Sequence, residues 1–116
     1  MTEVVFYQLT QTPLEKAVPA LMEKVYQSGK RGLIICGSDE RMKQMDASLW
    51  TYKQQSFIPH ATHKDPNPED QPILLTTKPE NVNGAEILVT LDGIDPQLDV
   101  ATFVRYLDIF EGITET

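Results

Sequence analysis

Two periodicities alternate along the first half of the chain, and that alternation restricts the fold more than any other feature of the sequence. "EVVFYQL", Glu3 to Leu9, is dense in β-branched and aromatic residues and apolar on both faces, the pattern of a strand near the centre of a sheet. "TPLE" follows, with Thr12 as helix N-cap, Pro13 at the first helical position and Glu15 three residues after the cap, so that orphan backbone amides are satisfied reciprocally. Ala17, Val18, Leu21, Met22 and Val25 then recur at helical spacing, and Gly29 supplies the left-handed residue that ends a helix. Pro19 falls inside this helix, where it removes a backbone bond at a cost of about 3 kcal/mol, so a kink or a broken first turn is expected there. "GLIIC", Gly32 to Cys36, reads as a short buried strand. Ser38 is a second N-cap, with Asp39 and Glu40 in a first turn where carboxylates favour the positive helix end. This helix runs to about Trp50 with Met42, Met45 and Leu49 on its core face.

The second half is read from its punctuation. "HATHKDPNPEDQP", from His60, is a polar loop broken by prolines, and "ILLTT" is a strand. Asn83 and Gly84 form a turn before a further strand, "AEILVTL", and "FVRYLDIFEG", ambiguous between strand and short helix, is read as a strand. Strands alternating with helices imply an α/β fold with a mostly parallel sheet in three layers, helices covering both faces. At 116 residues the chain makes one domain, 1–116.

Ten Lys and Arg against seventeen Asp and Glu leave a net charge of −7, which repels a phosphate backbone unless the cations are segregated. Only Lys30 and Arg31 are adjacent, so no direct nucleic-acid contact is expected. No run is apolar enough to span a membrane, the N-terminus does not read as a secretory signal, and a lone Cys36 makes no internal disulfide, so a cytoplasmic location is expected.

The search for chemistry finds little. Neither glycine-rich phosphate motif occurs, and "CGSDER" has one glycine where a phosphate cradle uses several. His60 and His63 with Asp65 lack the further Cys or His ligands that close a zinc site. Cys36 ends an apolar strand with no His beside it in sequence, a setting that leaves a thiol inert, and Ser38 lacks the elbow of a nucleophile. No catalytic residue, cofactor or metal is expected.

The stretch "LWTYKQQSFIPH", Leu49 to His60, is the exception, because it is apolar where a connection should be polar. Trp50 is open to two readings, a core aromatic or part of an interface. Phe57, Ile58 and Pro59 are consecutive, so in extended chain their side chains alternate between faces and cannot all enter one core. An exposed aromatic beside a proline-stiffened segment is the kind of anchor that carries interface energy.

The segments "FYQL", "VPALMEKVYQSGKR", "MDASLWTYKQQSFIPH", "QPILLT" and "NGAEILVTLDG" span most of residues 4–111, and in that order they resemble the chi subunit of bacterial DNA polymerase III holoenzyme, in its alphaproteobacterial branch. The resemblance implies a Rossmann-like fold without a phosphate loop, and a non-catalytic accessory subunit in DNA replication. It implies docking on the clamp loader through the psi subunit, or an equivalent partner, by the aromatic segment after helix two: Trp50, Phe57, Ile58, Pro59 and His60 here. It also implies capture of the acidic tail of single-stranded-DNA-binding protein by basic residues on a last helix. That helix follows the strand which "FVRYLDIFEG" resembles, and it maps onto no residue of this chain, so tail binding weaker than in family members that carry the helix is expected. The alternative is a small nucleotide- or nucleic-acid-binding α/β domain.

Overall fold

Short runs of Ile, Leu and Val bounded by Gly, Pro and Asn make strands buried on both faces, and here they assemble into one parallel sheet. The computed structural model describes residues 2–9, 14–51, 60–91 and 97–111. Its elements are β1 (Glu3–Leu9), α1 (Leu14–Gln27), β2 (Gly32–Ile35), α2 (Asp39–Thr51), β3 (His60–Thr62), β4 (Ile73–Thr76), β5 (Ile87–Leu91) and β6 (Arg105–Glu111). Short 3-10 turns at Pro68–Asp70 and Val100–Thr102 precede β4 and β6. All six strands are parallel, in the order β1-β6-β5-β2-β4-β3.

Register aligns the core. Val5, Leu107, Val89, Ile34 and Leu75 form a row across five strands, and because side chains alternate along a strand the whole row faces one way. Val18, Met22 and Val25 of α1 and Met42, Met45 and Leu49 of α2 pack on that face. The opposite face carries Leu33, Ile35, Leu74 and Leu88, covered by Ala85 and Phe103 with Val82, Leu98 and Val100.

The α/β class and the parallel sheet agree with the sequence. The helices are distributed differently: α1 and α2 share one face, and the other is covered by connecting segments and the 3-10 turn at Val100–Thr102. The segments leading into β5 and β6 are too short and too rich in Pro, Asp and Gly to wind a periodic apolar helix. The strand order also departs from the 3-2-1-4-5-6 order of dinucleotide-binding folds.

Three further differences are local. β1 is an edge strand paired only with β6, and Val4 and Phe6 on its second face are exposed at 46% and 65%. Its double-sided apolar pattern mimics a central strand. His60–Thr62, read as loop, adds a three-residue strand to the other edge. α1 is continuous through Pro19. The expected N-cap Thr12 and Pro13 lie outside the described residues.

Helix ends follow the chemistry of their residues. Gly29 has φ 80° and its N–H donates to the Tyr26 carbonyl at 3.1 Å, a left-handed termination that costs a side-chain-free residue little. Asn83 ties three connections together, its Nδ2 donating to the carbonyls of Gly32 at 3.1 Å and Gln71 at 2.9 Å.

Candidate functional site

Helical spacing puts Met42, Met45 and Leu49 of α2 into the core and turns Asp46 and Trp50, four residues apart, onto a neighbouring stripe. Leu49 is 1% exposed and Trp50 57%, so the reading of Trp50 as a core aromatic does not hold. Its ring is nevertheless held in place. The His60 imidazole stacks on it with centroids 4.8 Å apart and planes tilted by 59°, within the range where ring pairs attract.

His60 opens β3, pairs in register with Ile73 of β4 and is buried. Its Nε2 lies 3.1 Å from Oδ1 of Asp46, whose side chain is one-third exposed. The distance suits an ion pair when the ring is protonated, although the approach lacks hydrogen-bond alignment. Asp46, Trp50 and His60 therefore join the last turns of α2 to the edge strand β3. Trp50 and His60 are thus in ring contact, and His60 is held in turn by the β3–β4 pairing. Phe57, Ile58 and Pro59 lie outside the described residues.

The turn from β2 into α2 is where an α/β fold would place a phosphate. Here one amide of the first turn of α2 is already satisfied: the Arg41 N–H donates to Ser38 Oγ at 3.1 Å, as the capping pattern predicts. Asp39 and Glu40 occupy the same turn, so an incoming phosphate would meet two carboxylates. Cys36 is buried at the end of β2. Deeper in the sheet, Thr90 Oγ1 donates to Asp108 Oδ1 at 3.0 Å and sits 2.9 Å from the Tyr106 hydroxyl, a polar cluster on the second face.

A helix start capped by Ser38 and flanked by two carboxylates does not suit a phosphate, and relatives place the exposed aromatic in its family. The family model of the DNA polymerase III chi subunit, HolC, matches residues 1–116. The chain belongs to the chi-subunit family. A probable DNA polymerase III subunit chi of Rickettsia prowazekii, an alphaproteobacterium, is 30% identical over 113 residues, which cover 97% of this chain and 68% of that protein. The chi-family assignment agrees with the resemblance carried by the "LWTY" to "SFIPH" stretch and its flanking strands, and it places the chain in DNA replication. Among the described residues of this chi-family chain, no helix is long and apolar enough to cross a membrane.

Two features of the site escape sequence reasoning. Asp46 gives no signal in its spacing, because its partner His60 is reached only through the fold. The stacking of His60 on Trp50 likewise spans a connection whose path the sequence does not specify.

Proposed function

We propose that this chi-family chain is a non-catalytic accessory subunit of the DNA polymerase III holoenzyme, acting in the cytoplasm as a protein-interaction module. In this reading Trp50, Phe57, Ile58, Pro59 and His60 form the surface that meets the clamp loader, through the psi subunit or an equivalent protein. The observation that supports it is Trp50 itself, 57% exposed yet fixed against a buried His60. A large aromatic that is already ordered loses little rotamer freedom on binding, so most of its area converts to affinity. Linkage to the acidic tail of single-stranded-DNA-binding protein is the second arm of the proposal and rests on family membership.

The competing reading, a nucleotide- or nucleic-acid-binding domain, is disfavoured by the capped, carboxylate-flanked start of α2. Two measurements separate the readings. Under the interaction reading Phe57→Ala weakens capture of the clamp-loader assembly by about 2 kcal/mol with the melting temperature nearly unchanged. A nucleotide at a hundred times its Kd would instead add about 2.7 kcal/mol of stability. A thermal shift of that size with any nucleotide would replace the proposal by its competitor, and unaltered capture by the Phe57 variant would remove Phe57 from the proposed surface.

A further inference from the structure

We infer that Asn83 is a modification site gated by the fold: its side-chain amide is lost by deamidation only in molecules whose turn has opened, and the loss keeps that turn from closing again. Asn83 precedes Gly84, in the one Asn-Gly pair of the chain. In such a pair the glycine amide nitrogen reaches Cγ of the asparagine side chain with little obstruction, because no Cβ shields it. A new N–C bond closes a cyclic imide, and the side-chain nitrogen leaves as ammonia with the proton of the attacking amide. Water then opens either carbonyl of the ring to give aspartate or isoaspartate. The step needs no oxidant, metal or cofactor.

The folded chain holds the reacting groups apart. Gly84 is exposed, with φ 63°, but Asn83 is 1% exposed. The Asn83 Nδ2 donates to the carbonyls of Gly32 at 3.1 Å and Gln71 at 2.9 Å, so the leaving nitrogen is bound on two sides. Nη1 of Arg31 donates to the Asn83 carbonyl at 2.9 Å and to that of Glu69 at 3.0 Å, which fixes the backbone as well. Asn81 closes the turn from its other end, its Oδ1 accepting from the Ala85 N–H at 2.8 Å and its Nδ2 donating to the Ala85 carbonyl at 3.1 Å. Attack requires the Asn83 side chain to swing back towards the Gly84 nitrogen, which breaks both Nδ2 bonds. The reaction therefore waits for a local opening, whose population falls with every bond that must be given up.

The product does not fit the place it came from. An ionised aspartate has no donor for the Gly32 and Gln71 carbonyls and sets a carboxylate oxygen where a buried N–H stood. The second oxygen gains nothing in return, since Oδ1 of Asn83 already lies buried with no hydrogen-bond partner. Isoaspartate lengthens the backbone of a turn that is tied at both ends. The connections joined by Asn83 lead into β2, β4 and β5, which are neighbours inside the sheet, so the damage reaches the core. A molecule that opens and deamidates is thus withdrawn from the native population, whichever partner the chain meets.

The test is mass spectrometry of Asn83 in the full chain and in a capped peptide of residues 80–88, both incubated in mildly alkaline buffer. The amide should persist at least about a hundredfold longer in the folded chain than in the peptide, and denaturing urea should raise the rate in the chain to that in the peptide. Arg31→Ala and Asn81→Ala each release one side of the turn and should hasten the loss by about tenfold, read while circular dichroism still shows a folded chain. Equal rates in folded chain and peptide would show that the fold does not gate the site, and so would two folded variants that react no faster than the parent. Asn83→Asp, made directly, tests the second half. It should lower the midpoint of urea denaturation or prevent folding, and a variant as stable as the parent would overturn the claim that the modified turn cannot close.

Discussion

Leu49 and Trp50 are neighbours on α2 that face opposite surroundings, and truncating each to alanine should break different things. Leu49 is 1% exposed between α2 and the sheet, so Leu49→Ala removes a core side chain and leaves a cavity, at a cost of about 3 kcal/mol. For a chain of this size that lowers the melting temperature by about 12 °C. Trp50 is 57% exposed. Of the roughly 230 Å² of a Trp side chain, the fold therefore holds about 100 Å², and at about 25 cal/mol per Å² its truncation costs at most about 2 kcal/mol once alanine's own area and a compact denatured state are allowed for. The remaining area, roughly 130 Å², is what a partner would cover under the proposed function, and at the same coefficient it corresponds to at most about 3 kcal/mol, or roughly a hundredfold in Kd. Urea denaturation and calorimetric titration with the clamp-loader assembly measure the two effects separately. If Trp50→Ala lowers stability as much as Leu49→Ala and leaves partner affinity unchanged, the reasoning from exposure is refuted.

Other expectations follow from single contacts. Asn83→Ala strips the donors from the Gly32 and Gln71 carbonyls and should cost about 2–3 kcal/mol in denaturant unfolding; a loss below about 0.5 kcal/mol would mean that these connections are tied by something else. Ser38→Ala should cost about 1 kcal/mol through the lost cap on α2, and Ser38→Asp should retain most of that stability. Phe6→Ser on the edge strand β1 should change stability by less than about 0.5 kcal/mol, whereas a loss of 3 kcal/mol would place Phe6 in a core and β1 inside the sheet.

What was legible in the sequence was what local physics dictates. Continuous runs such as "GLII", "ILLT" and "ILVTL" have no structure open to them in so short a length but a buried strand, and β2, β4 and β5 are there. Ser38 and Gly29 act through groups a few residues away, so their roles survive without knowledge of the fold. Apart from the kink or broken turn expected at Pro19, through which α1 runs continuously, the misreadings are tertiary. β1 looks central because Val4, Val5 and Phe6 are apolar on both faces, yet only Val5 reaches the core. β3 exists because β4 offers an edge to His60, Ala61 and Thr62, whose own sequence is turn-like. The candidate interface was half legible. Its apolar content stands out in the sequence, whereas the Asp46–His60–Trp50 support depends on how α2 meets β3.

Hydrogen–deuterium exchange of the chain with and without the clamp-loader assembly tests the central claim most directly. An interaction module working through its aromatic segment should gain protection from residue 50 to residue 60, with the already protected β2 and β5 amides little changed. Protection confined to other surfaces, such as the β1 edge, with exchange from 50 to 60 unaltered, would contradict the account.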